Sequence, residues 1–304
     1  MTRRTPEFLE CEQDLEALPP PQPRLKAEAI GAGLDYLLSE HRNGHWSADP
    51  GAGPDLLVTA CVLARLKDVL PFHSSHRLRV KISESLDWLL EAQTPGGGWA
   101  GRSGKDEAGP TAWAILALGK NGRVAPESAL IWLRRCRRRD GGFGSCPDAH
   151  SSSLEITALS AQALGHVDDV VASFLRVRLE SEAEAVAEQL AACAAILDCE
   201  RSPAWLSLVD QACQALARVP ADGAANQALL LRCLLRLRLT RAWVLADNLR
   251  NTQRAEGSWH GTNENDVVAT ANVVSALALF DSQPGLYFGS DLPLPRRWRE
   301  SAQG

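Results

Sequence analysis

Gln93-Thr94-Pro95-Gly96-Gly97-Gly98-Trp99, with Thr111-Ala112 twelve positions beyond the tryptophan, decides how this chain is read. The same phrase, a Gly-x-aromatic turn followed 11 to 14 positions later by Thr-Ala, is written three more times. The copies are Gly44-His45-Trp46 with Thr59-Ala60, Gly141-Gly142-Phe143 with Thr157-Ala158, and Gly257-Ser258-Trp259 with Thr270-Ala271. Self-similarity at a period of roughly 50 residues marks a repeat architecture. A closed ring of such repeats encloses a hollow, and the residues facing that hollow are the first candidates for chemistry.

Around each turn, apolar residues recur at helical spacing. The first pair of helices covers 27–40 and 55–69, the second 78–92 and 109–119, the third 126–138 and 153–165. A degenerate copy reads as helices near 168–180 and 182–197. The last two pairs are 203–217 with 222–238 and 240–253 with 266–281. Six helix pairs closing on themselves make an all-α, single-domain (α/α)6 toroid with a central cavity. Helices that open with Thr-Ala are the more uniformly apolar and form the inner ring; those before the Gly turns form the outer ring. Residues 1–26 read as an N-terminal arm, 27–281 as the toroid and 282–304 as a proline-containing C-terminal strap.

Composition narrows the function. With 32 basic against 37 acidic residues, the net charge of −5 gives no footprint for nucleic acid. The local run Arg134, Arg135, Arg137, Arg138, Arg139 reads as the solvated end of a helix, with peripheral membrane contact as the alternative. No apolar run is long enough to span a membrane, and the polar N-terminus is not a signal peptide. Eight scattered cysteines without a Cys-x-x-Cys pair fit a reducing cytoplasm. No Gly-rich phosphate loop and no Asp-rich magnesium motif is present, so no cofactor is expected and magnesium enters only with a diphosphate substrate.

Gln93 to Trp99 and Gln253 to Trp259 both spell Gln-x-x-x-Gly-x-Trp. Glu40 to Trp46 and Arg137 to Phe143 keep the Gly-x-aromatic half. This resembles the QW repeat of the squalene–hopene cyclase and prenyltransferase superfamily, over roughly residues 27 to 281. The resemblance implies an α-toroid whose apolar cavity takes an isoprenoid chain. In that reading Gln caps a helix end, Gly permits the turn and the aromatic packs the next pair. The resemblance also implies cyclisation or isomerisation begun by carboxylic-acid protonation from an Asp-x-Asp-Asp-Thr-Ala motif. Here the four Thr-Ala openings carry no Asp-x-Asp-Asp; only Glu155 stands at the register of the central acid, two residues before Thr157.

Glu155 is therefore one candidate catalytic acid, and Asp266, beside Asn263, Glu264 and Asn265, is the second. Asp55, Glu107 and Asp266 stand four residues before a Thr and equally suit helix N-caps. Candidate substrate-binding residues are Asp55, Glu107, Trp113, His150, Asn226, Gln227, His260 and Asn272, on inner helices or at the acidic mouth of the ring. Cys146, Asp148 and His150 do not make a diagnostic zinc spacing, and no metal site is expected. Two other readings stand beside a terpene cyclase-like enzyme: a non-catalytic toroid that binds or scaffolds, and a toroid tailoring cyclase acting on a non-terpenoid.

Overall fold

A computed structural model describes residues 23–48, 53–181, 185–198, 203–216, 222–237, 242–261 and 266–283. The arm through residue 22, the strap from 284 and Asn263–Asn265 lie outside the described residues. Twelve helices follow one another in the described chain. They are α1 (Pro23–Glu40), α2 (Leu56–Val69), α3 (His76–Glu91), α4 (Ala108–Lys120), α5 (Glu127–Arg135) and α6 (Leu154–Leu164). Then come α7 (Asp169–Glu180), α8 (Val186–Asp198), α9 (Pro203–Leu216), α10 (Ala224–Leu237), α11 (Ala242–Asn251) and α12 (Asp266–Asp281). The first helix opens on Pro23, inside the stretch expected to be an arm, because proline suits the first helical position where its missing N–H is not needed.

The even-numbered helices pack in sequence, α2 on α4, α4 on α6, and so on to α12, which returns to α2. They are the inner ring of an (α/α)6 toroid. The odd-numbered helices lie outside, with α1 packed on α12 to close the seam. The inner helices all run the same way, so their N-termini meet at one end of the hollow, here called the rim.

One joint is repeated around the ring. The backbone N–H of Trp46, Trp99, Phe143 and Trp259 donates to the hydroxyl of Thr59, Thr111, Thr157 and Thr270, at 2.8 to 3.0 Å. All four threonines are fully buried. Each indole N–H donates to a carbonyl in the last turn of its own outer helix, Trp46 to Leu37, Trp99 to Leu89 and Trp259 to Leu249. These are carbonyls near a helix end, where the chain offers few partners. The aromatic also packs on the next pair, the Trp259 ring lying so close to Gly33 of α1 that a Cβ there would meet it at 3.0 Å, and the Gln and Gly positions add further links. Gln93 Nε2 reaches Ser128 in α5 at 3.0 Å, and Gln253 Nε2 reaches the Ala29 carbonyl in α1 at 2.9 Å. Arg137, standing where the third copy lacks Gln, holds the Asp168 cap of α7 with both terminal guanidinium nitrogens. Gly257 (φ 91°) lies so close to Ala32 that a Cβ would sit 2.3 Å from its carbonyl oxygen. Only glycine tolerates both that φ and that approach.

Candidate functional site

The Thr joints fix which way each inner helix faces. Thr59, Thr111, Thr157 and Thr270 point outward to their turns. Residues two positions away lie about 200° around the helix, and so face the hollow. Those positions are Leu57 and Cys61 in α2, Gly109 and Trp113 in α4, Glu155 and Leu159 in α6, and Val268 and Asn272 in α12. Trp113 and Leu116 are partly exposed midway along a helix whose other sides are covered. That exposure is the hollow. Of these eight positions Glu155 alone carries a charge; it stands in the first turn of α6, where the helix dipole favours an acid.

Residues four before the Thr fall on the Thr side and belong to the rim. Asp55 caps α2 by accepting from Val58 N–H at 3.1 Å and pairs with Arg102 at 3.2 Å. Glu107 occupies the cap position of α4 without making the cap bond; it accepts from the Ser103 hydroxyl at 2.6 Å. Gly101 leaves room for that carboxylate, which a Cβ would strike at 2.2 Å. Asp266 pairs with Arg254 at 2.8 Å and with His260 Nδ1 at 2.9 Å. His260 and His150 are exposed. Gln227 turns outward, accepting from Asn248 of α11 at 2.8 Å, and Asn226 precedes it in the first turn of α10. Of the residues singled out in the sequence, Glu155, Trp113 and Asn272 thus share the hollow, while Asp55, Glu107, Asp266 and His260 share the rim.

Below Trp113 the hollow has a floor of charge that the sequence reading did not foresee. Inner helices, expected to be more uniformly apolar than the outer ones, carry Arg65 and Asp68 on α2, Lys120 on α4, Asp198 on α8 and Arg232 on α10. Arg232 is fully buried. One of its terminal nitrogens donates to Asp68 at 2.8 Å and to Ser275; the other donates to Asp198 at 2.7 Å. Asp198 also accepts from Arg236 at 2.8 Å. Arg65 donates to Asn272 at 2.8 Å, lies 4.0 Å from Asp198 and places its guanidinium 5.1 Å from the Trp113 ring centre. Since α2 and α8 stand on opposite sides of the ring, these bonds cross the hollow and close it.

The electrostatics follow from burial against pairing. Burial alone would raise the Asp198 carboxyl; Arg232, Lys120, Arg236 and Arg65 overcome it and hold the group well below the ordinary carboxylate range. Asp68 is lowered in the same way, chiefly by Arg232. Burial depresses Arg65 to about 10, with Arg232 adding to the effect. Arg232 is raised, because its two carboxylates outweigh its own desolvation. Among the described residues no three His, Cys, Asp or Glu side chains come together as a metal site requires. No described helix is long and apolar enough to cross a membrane.

No protein-family model and no curated protein matches the sequence. Solved structures do match. The type II terpene cyclase MstE from Scytonema, in its apo form, is 18% identical, covering 86% of this chain and 99% of its own, with a TM-score of 0.66. A protein from Actinoplanes is 18% identical over 84% of this chain, TM-score 0.68. The ent-copalyl diphosphate synthase from Streptomyces platensis is 21% identical over 74% of this chain and 50% of its own, TM-score 0.57. The chain has the terpene cyclase-like α-toroid fold. An MstE variant has been solved with geranylgeranyl dihydroxybenzoate as substrate, and another with merosterolic acid A as product.

Proposed function

We propose that this toroid is a terpene cyclase-like enzyme that takes an isoprenoid chain into the upper hollow and protonates it from Glu155. The observation carrying this reading is the orientation of α6: the Thr157 joint puts Glu155 on the side of the helix that faces the hollow, toward which Leu159 and Trp113 also turn. An acid so placed can deliver a proton to an alkene carbon away from competing water. The cation so formed is stabilised by an aromatic face. One face of Trp113 already carries the Arg65 guanidinium. A short reaction, one ring closure or a double-bond shift, therefore suits the site better than a long cascade. The ligands of the MstE structures support the substrate class. Asp266, held by Arg254 and His260, acts at the rim, where it orders the entrance.

The test is product analysis by mass spectrometry with farnesyl, geranylgeranyl and squalene-type substrates, with and without a chelator. A cyclised or isomerised product that disappears in Glu155→Gln is the expected result. A product that persists in Glu155→Gln removes Glu155 from the role. The charged floor favours a second reading, a toroid that binds a ligand without turning it over, and absence of any product moves the protein to that class.

A further inference from the structure

Lys120 ends α4 at the level of the charged floor, on the same helical face as Trp113 and Leu116. It is the one cation of the floor that makes no hydrogen bond or ion pair among the described residues. Its charged surroundings come from three other helices: Arg65 and Asp68 on α2, Asp198 on α8 and Arg232 on α10. Both carboxylates are already committed to Arg232. The chain has 27 arginines and only five lysines. Arginine cannot shed its proton in a protein, whereas a desolvated lysine can.

We infer that Lys120 is a nucleophilic amine that captures an aldehyde in the hollow as an imine, with the apolar body of the ligand lying along Leu116 and Trp113. In this step the Nζ lone pair attacks the carbonyl carbon and a proton passes from nitrogen to oxygen. The carbinolamine then loses water, giving the C=N bond. No oxidant or reductant is consumed. The protonated imine carries the same charge as the ammonium it replaces, so the balance with Asp68 and Asp198 is kept. Burial, reinforced by Arg232 and Arg65 against the pull of Asp68 and Asp198, lowers the amine to about 8. Near pH 7 the neutral fraction is then on the order of a hundredfold above that of a surface lysine. Glu155 has no part in this chemistry.

The full chain is incubated with farnesal and cyanoborohydride near neutral pH, and the reduced adducts are mapped by peptide mass spectrometry. The expected result is labelling of Lys120 at least about tenfold ahead of the other four lysines. Its labelling should rise with pH through about 8. Lys120→Arg, checked for folding by its melting curve, should lose the adduct. Labelling spread evenly over the lysines, or a Lys120 profile that rises only at the ordinary lysine value, overturns the inference. The experiment needs no turnover, so it fails separately from the cyclase reading. An adduct without any cyclised product keeps the imine and discards the cyclase. A cyclised product without an adduct does the reverse.

Discussion

Replacing Arg232 with methionine tests the charged floor most directly. The substitution keeps an unbranched apolar stem and removes the guanidinium. Asp68 is left with the Ser275 hydroxyl at 2.8 Å, and Asp198 with Arg236 and the more distant Arg65. Breaking a buried ion pair by removing one partner costs about 3–5 kcal/mol, since the other charge stays behind. Asp198 retains a second arginine, so the loss is that of one pair, not two. At about 2 °C per kcal/mol for a chain of this size, the melting midpoint should fall by about 6–10 °C. The pH dependence distinguishes this cause from simple loss of packing. In the native protein Asp68 and Asp198 lie below their ordinary value of 3.8, so their contribution is present above that value and lost only as pH falls beneath it. In Arg232→Met, burial without the guanidinium moves the carboxylates upward, and protonation then favours the folded state. The deficit of the variant should therefore be largest near neutral pH and shrink toward about pH 4. Urea denaturation of both proteins across this range measures it. A deficit below about 1 kcal/mol at neutral pH, or one that does not change with pH, would refute the reasoning.

Two further outcomes follow from the joints. Thr111→Val leaves the buried Trp99 N–H without its acceptor and should cost about 1–3 kcal/mol in urea denaturation, with Thr111→Ser recovering most of it. His41, whose Nε2 lies 2.9 Å from the Ser85 hydroxyl and whose ring meets Trp46 edge-on, is pushed by burial, and then by Lys81, from 6.5 down to about 4. Folding that favours the neutral ring contributes stability above the ordinary value, and this is lost as pH falls from 6.5 toward about 4. The urea midpoint of the native protein should drop more steeply across that window than that of His41→Gln; parallel curves would assign the acid sensitivity elsewhere.

The fold was legible because the joint is local. Gly97, Trp99 and Thr111 lie close in sequence and recur, so turn chemistry, helix period and repeat agree. Even the degenerate copy, α7 with α8, is recovered by helical spacing alone. Part of the site was legible for the same reason: counting two residues from each Thr leads to Glu155, Trp113 and Asn272. The floor was not. Asp68, Lys120, Asp198 and Arg236 occupy the last turns of short helices, where a charge reads as a solvated end or a dipole partner. Arg232 meets Asp68 across 164 residues and Arg65 meets Asn272 across 207, distances over which no periodicity carries information. The packing of the aromatic on the next pair was legible, as Trp259 against Gly33 of α1 illustrates, but sequence spacing does not say which carbonyl an indole will find.

The bond from Gln253 to Ala29, 224 residues apart in sequence, belongs to the same kind of joint as the bond from Gln93 to Ser128. An open array of repeats has ends that fray and can be shortened one unit at a time. A ring has neither property. Removing one helix pair here would leave a gap with two unmatched edges, not a shorter protein, and the last joint to form must draw together the two most distant described parts of the chain. Assembly should accordingly be all-or-none and slow relative to that of its own helices, since the contact that makes the hollow also carries the greatest loop-closure cost.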